Sequence, residues 1–141
     1  MSISALIEKG LIKKIRVYPE KIEGSIKLAE RFLKKAEGNF KIGYWDIAFV
    51  LAYSSMFHTG RALLFKKGFA ERSHYAMICA LKLLYKENIE IKKFLEILNS
   101  YRIARHGIQY SGELCSKDDA EEVLRDAKEF LNLIKKLYFK R

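Results

Sequence analysis

Apolar residues recur at three- and four-residue spacing along most of this chain, and strict alternation of the strand kind is scarce. Between Pro19 and Gly38, residues Ile22, Ile26, Ala29, Phe32, Leu33 and Ala36 fall on one face, with Lys21, Glu23, Lys27, Glu30, Lys34 and Lys35 opposite. The proline suits a first helical turn and the glycine a position just past a helix end, so an amphipathic helix is predicted between them. From about Gly43 to Lys67 the pattern turns apolar on two sides. Trp45, Phe49, Ala52, Met56, Gly60 and Leu63 form one stripe; Ile47, Leu51, His58 and Phe65 form a second. A helix apolar on two sides is covered on two sides, by its own bundle or by another chain.

Three more helices follow. Ser73 is the expected N-cap of one that runs to about Lys86 and offers Tyr75, Met77, Ile78, Leu81 and Leu84 to the core. The next carries Ile91, Phe94, Leu95, Leu98 and Tyr101, and Gly107 and Gly112 are expected to end it. Ser116, with Asp119 three on, reads as a capping box, after which Ala120, Val123, Leu124, Ala127, Phe130, Leu131, Ile134 and Leu137 keep helical spacing. Residues 1–18 hold Lys9, Lys13, Lys14 and Arg16 and are expected to be a basic short helix or arm. Residues 19–141 then form an all-α, antiparallel bundle of about five helices joined by short connections.

Composition narrows the class. At 141 residues, half of them apolar, with one proline and eight glycines, the chain is long enough for one core and too poor in turn residues for a β-sandwich. Cys79 lies in an apolar run and Cys115 follows a glycine turn; no partner spacing makes a disulfide framework or zinc site, so a buried free thiol and an exposed one are expected. The longest apolar run, Ile47 to Phe57, is too short and polar to span a bilayer, and the opening residues lack a signal-peptide core, so a cytoplasmic protein is expected. Lys and Arg number 27 against 17 Asp and Glu, a net charge of +10 that favours polyanions or simply keeps a surface solvated.

The chemistry worth explaining lies in "SYRIARHGIQYSGELCSKDD", residues 100–119. At about 100° per residue, Phe94, Leu98 and Tyr101 mark the inward stripe and Arg105 falls on the same line, with Arg102 and His106 at its edge. An inward guanidinium is costly to desolvate unless something negative or hydrogen-bonding meets it. Three arrangements satisfy it: a structural one, in which it pairs with Asp46 or an acid of the last helix or snorkels out at the helix end, a wet basic cleft where Arg102, Arg105 and His106 meet phosphate, or a contact across a dimer. His58 reads as a packed, hydrogen-bonded histidine, and His74, at a helix start, as a surface one.

The stretch "DIAFVLAYSSMFHTGRALLFKKGFAERSH" resembles the signature of the HEPN family (higher eukaryotes and prokaryotes nucleotide-binding), in its small prokaryotic single-domain branch. The matching residues are Ala52, Tyr53, Met56, Phe57, His58, Arg61, Ala62, Leu63, Leu64, Lys67, Gly68 and His74. "LAERFLKKAEGNFKIGYWDIA" and "RHGIQY" resemble the family's earlier and later segments, so the likeness covers residues 19 to 138. It implies a helical bundle, generally a homodimer, that binds nucleotides or RNA. Some members partner minimal nucleotidyltransferases in toxin–antitoxin pairs. In the ribonucleases an Arg-x(4–6)-His motif from each subunit meets across the dimer cleft and works without a metal or other cofactor.

Carried over, Arg105 takes the motif arginine and Tyr110 the position of its histidine, while His106 sits beside the arginine. A phenol with a pKa of about 10 is a poor general base, so either cleavage is lost or His106 serves in its place. Arg102, Arg105, His106 and Tyr110 are the expected phosphate-binding and catalytic residues, and Tyr53, His58 and Arg61 the expected cleft or interface. The leading expectation is a nucleotide- or RNA-binding partner subunit. A metal-independent endoribonuclease toxin and a ligand-free interaction module stand as alternatives. A Walker loop, an HExxH motif and a nucleophile triad are all missing from the sequence.

Overall fold

The computed structural model describes residues 1–139. In chain order the elements are α1 (Ile3–Glu8), β1 (Ile12–Lys14), α2 (Pro19–Lys41), α3 (Trp45–Lys66), β2 (Phe69–Glu71), α4 (His74–Leu84), α5 (Ile89–Tyr110) and α6 (Lys117–Tyr138). Local chemistry sets most of the ends. Pro19 stands in the first turn of α2, where its missing N–H costs nothing. Ser73, Asn88 and Ser116 cap α4, α5 and α6 by accepting from the backbone N–H groups of Ala76, Ile91 and Asp119 at 3.1, 2.9 and 3.0 Å. Asp119 reaches back to the Ser116 N–H and completes the capping box.

α2 continues one turn past Gly38, because Phe40 packs on Trp45 at a ring separation of 5.1 Å. Gly43, with φ of +86°, makes the turn into α3 instead. α5 likewise runs through Gly107 to Tyr110.

α3 is the centre of the bundle and packs against α2, α4, α5 and α6. That explains its two apolar stripes: residues from Ala48 to Leu64 are buried around most of its circumference. Its buried serine and threonine hydroxyls find backbone partners. Ser55 Oγ donates to the Ala29 carbonyl at 2.7 Å and Thr59 Oγ1 to the Ser55 carbonyl at 2.9 Å. Among the largest core side chains, Phe130 of α6 is fully buried and stacks on Phe94 of α5 at 5.2 Å.

The periodicity does not reveal the small sheet. β1 pairs antiparallel with β2 in the register Ile12↔Glu71, Lys13↔Ala70 and Lys14↔Phe69. Three-residue strands are too short to display alternation. The sheet ties residues 1–18 to the bundle: Leu6 and Ile12 are buried, and α1 rests on α4. It also fixes the path from α3 into α4. Cys79 and Cys115 are free and both partly buried; Cys115 Sγ lies 3.5 Å from the Trp45 carbonyl. Among the described residues no helix is long and apolar enough to cross a membrane.

His58 of α3 lies flat on Phe32 of α2, with ring centroids 5.4 Å apart and planes 2° from parallel. Its Nδ1 is buried without a hydrogen-bond partner. Burial first, and the Arg61 guanidinium second, push its pKa down to about 4. The unfolded chain protonates this group at about pH 6.5, so its stabilising contribution is complete above that pH and is lost as pH falls towards about 4.

Two outcomes follow from the packing. Phe130→Ala removes a fully buried ring and is expected to cost about 3–5 kcal/mol in urea unfolding; a loss below about 1 kcal/mol would mean that α6 does not seat it. The melting temperature should drop between pH 6.5 and 4, and His58→Phe, which keeps a ring against Phe32, should flatten that drop. Equal slopes in the two proteins would remove His58 from the acid response.

Candidate functional site

Tyr53, Phe57 and Arg61 stand at four-residue spacing on α3 and so share one face. Across from them the chain leaves the sheet at Glu71, is capped by Ser73 and enters α4 at His74. From the other side α5 brings Arg102 and Arg105, one turn apart. The Tyr53 hydroxyl and His74 Nδ1 share a hydrogen bond of 2.7 Å. The His74 ring stacks on Phe57 with centroids 3.9 Å apart and planes 18° from parallel. Arg105 Cζ lies 5.0 Å from the centre of the Tyr53 ring, a cation–π distance. Arg61 lies over Phe57 at 5.0 Å and donates through Nε (2.9 Å) and Nη2 to Glu71 Oε2.

Charge and burial act together here. Burial pushes the Tyr53 phenol up to about 12, and Arg105 and Arg102 pull against that rise. His74 is held below the ordinary histidine range, by burial and then by the Arg105 guanidinium. Both groups are therefore neutral at pH 7, beside three guanidinium cations and one carboxylate. Three buried side-chain atoms lack a hydrogen-bond partner among the described residues: Arg105 Nε, Glu71 Oε1 and His58 Nδ1. All three belong to residues of this cluster or its edge. An unsatisfied buried group costs about 1–3 kcal/mol, so their concentration in one place marks a site not optimised for stability.

The residues singled out from sequence divide into two groups. Arg105 pairs with neither Asp46 nor an acid of α6; Nη1 donates to the Gln109 side chain at 3.1 Å, and among the described residues it meets no carboxylate. Asp46 instead accepts from the Ile47 N–H at 2.9 Å. Arg102, also half-buried, donates from Nε to Asn99 at 3.0 Å and lies over Tyr75 at 5.1 Å. Tyr53, Arg61, Arg102 and Arg105 thus gather into one cluster around His74, with His58 at its α2 side. His106 and Tyr110 are exposed on the outer edge of α5, with rings 5.1 Å apart.

Sequence reasoning missed two members. His74 was expected at the surface and is half-buried, because the packing of α4 against α3 sets it against Tyr53 and Phe57. Glu71 gave no signal, since its placement depends on the unforeseen sheet; its side chain is 5% exposed and neutralises Arg61. The cluster offers guanidinium donors for an anion and a neutral imidazole for proton transfer, both seated on buried rings. Among the described residues no cluster of three or more His, Cys, Asp or Glu side chains is placed to hold a metal ion.

Comparison with known proteins places this geometry in context. The HEPN domain matches residues 22–137, which include every cleft residue named above. The protein of Methanocaldococcus jannaschii named "Putative toxin MJ0605" is 28% identical over 119 residues, covering 83% of this chain and 88% of that one. "Putative toxin MJ0142", from the same organism, is 29% identical over 124 residues, covering 84% and 82%. With the family match running from the first long helix to the end of the last, this chain belongs to the HEPN domain family.

Proposed function

We propose that the cleft over Tyr53 binds the phosphates of RNA or of a nucleotide, and that the protein is the toxin-like member of a two-component pair. The observation that carries this reading is Arg105: half-buried, seated on a ring, and facing no carboxylate among the described residues. A guanidinium desolvated to that extent gains most from an anion that accepts its forked donors. Arg102, one turn away, supplies a second cation, and the lysine-rich surface adds salt-dependent attraction. Tyr110 and His106 offer adjoining exposed rings on which a base can stack. The toxin names of both relatives and the family's pairing with minimal nucleotidyltransferases support a partner of that kind.

A homodimer fits the same surface. Ile47 is 46% exposed, and with Val50, Leu51 and Ile108 it lines a hollow beside the Arg105 helix that Asp46 and Gln109 edge with polar groups. A second copy covering that hollow would bring two clefts near one another and remove apolar area from water. Metal-independent RNA cleavage is the second reading, favoured by the neutral imidazole of His74 beside the guanidinium pair.

Arg105→Ala is expected to weaken single-stranded RNA binding by about 2 kcal/mol, roughly thirtyfold in Kd, and to reduce the slope of log K against log salt by about one phosphate contact. Fluorescence anisotropy across a salt series reads both; an unchanged Kd would remove Arg105 from the binding site. Light scattering at micromolar concentration should give twice the 16.5 kDa chain mass. Ile47→Glu should shift that mass towards the monomer, and a wild-type protein that already scatters as a monomer would end the dimer reading.

A further inference from the structure

The chain has three histidines, and their surroundings differ in a way that bears on proton transfer. His106 is exposed, with Tyr110 as its ring neighbour. His58 has a sealed, unpartnered Nδ1 and faces α2. His74 is held at two points, by the Tyr53 hydroxyl on Nδ1 and by the face of Phe57. Its Nε2 has no hydrogen-bond partner among the described residues and is not among the buried atoms left without one, so solvent reaches it.

Resting on the reading that RNA phosphate occupies the Arg102–Arg105 site, we infer that His74, oriented by Tyr53, is the catalytic base that deprotonates the ribose 2′-hydroxyl next to that phosphate. When Nδ1–H donates to the Tyr53 oxygen, the lone pair lies on Nε2, which is the tautomer a base requires. The groups facing His74 are Tyr53, His58 and Arg61 from α3, Glu71 from β2, and Arg102 and Arg105 from α5. Burial first, and then the Arg105, Arg61 and Arg102 guanidinium groups, hold the imidazole below the ordinary histidine range, and Glu71 offsets part of the charge that develops when it takes a proton.

The step balances without a metal or a consumed water. Nε2 takes the 2′-hydroxyl proton, the 2′-oxygen forms a bond to phosphorus, and the bond from phosphorus to the 5′-oxygen breaks. The departing 5′-oxygen takes a proton from solvent while His74 releases its own to solvent. The products are a 2′,3′-cyclic phosphate and a 5′-hydroxyl end, and Arg105 meets the charge on the phosphoryl oxygens. Tyr53 acts as a positioning residue, since it reaches the reaction only through His74.

The test uses the full chain, single-stranded RNA and excess chelator. His74→Ala should lower the cleavage rate by about 10²–10⁴-fold while RNA affinity holds, and added imidazole should restore part of the rate. If His74→Ala unfolds, His74→Asn keeps a polar partner for Tyr53 and should show the same loss. Tyr53→Phe should keep the affinity and move the acidic limb of the rate profile to lower pH. Wild-type cleavage that survives in His74→Ala, or that depends on His106 instead, overturns the assignment. Arg105-dependent binding with no cleavage by the wild type overturns it too, while leaving the binding reading intact. RNA that fails to bind at all removes the binding reading and this inference with it.

Discussion

Arg105 rests on the ring of Tyr53, donates to Gln109 and meets no carboxylate among the described residues. A cation–π contact is worth about 0.5–2 kcal/mol, which holds a guanidinium in place without satisfying its donors. The carboxylates that might have closed the site are engaged elsewhere. Asp46 accepts from the backbone at the start of α3, and Asp126 accepts the Tyr101 hydroxyl. What remains is a fixed cation with donors to spare, and every functional statement about the cleft depends on that surplus.

The cleft keeps its shape because α3 is immobilised on nearly all sides. Tyr53 is 1% exposed and Phe57 4%, so neither ring can turn away from His74 without opening the core. The opposite wall is set by a sheet of only two short strands. Its pairing with β1 brings β2 alongside α3, where Glu71 meets Arg61, and the Ser73 cap then starts α4 with His74 already facing Tyr53. The Arg61–Glu71 pair is partly screened at the arginine end and buried at the glutamate end, so it works chiefly as a register pin between α3 and β2.

Helix periodicity carries most of the bundle because the long helices around α3 each turn one main face to the core, and the serine and asparagine caps sit where local chemistry asks for them. The wheel through residues 91–108 also foretells an inward arginine. What it cannot convey is the distance between segments remote in sequence. Tyr53 and His74 are 21 residues apart and joined by a sheet below the length at which alternation becomes visible. A histidine just after an N-cap reads as exposed on local grounds, and only the packing of α4 against α3 turns it inward. Gly38 misleads for a related reason: the contact between Phe40 and Trp45 outweighs the local preference to stop.

Buried polar atoms without partners are uncommon in native proteins, because each forfeits the water it lost and regains nothing. Here Arg105 Nε, Glu71 Oε1 and His58 Nδ1 carry that deficit together, within a few side chains of one another. A core built around α3 has the reserve to tolerate them. Replacing Arg105 by leucine would extend the stripe of Phe94, Leu98 and Tyr101 with an apolar side chain and remove one unsatisfied donor. Stability alone therefore gives no reason for an arginine there. On the reading proposed above, an anion accepts what the fold leaves unmet there, and a phosphate oxygen matches both the charge and the geometry of those donors.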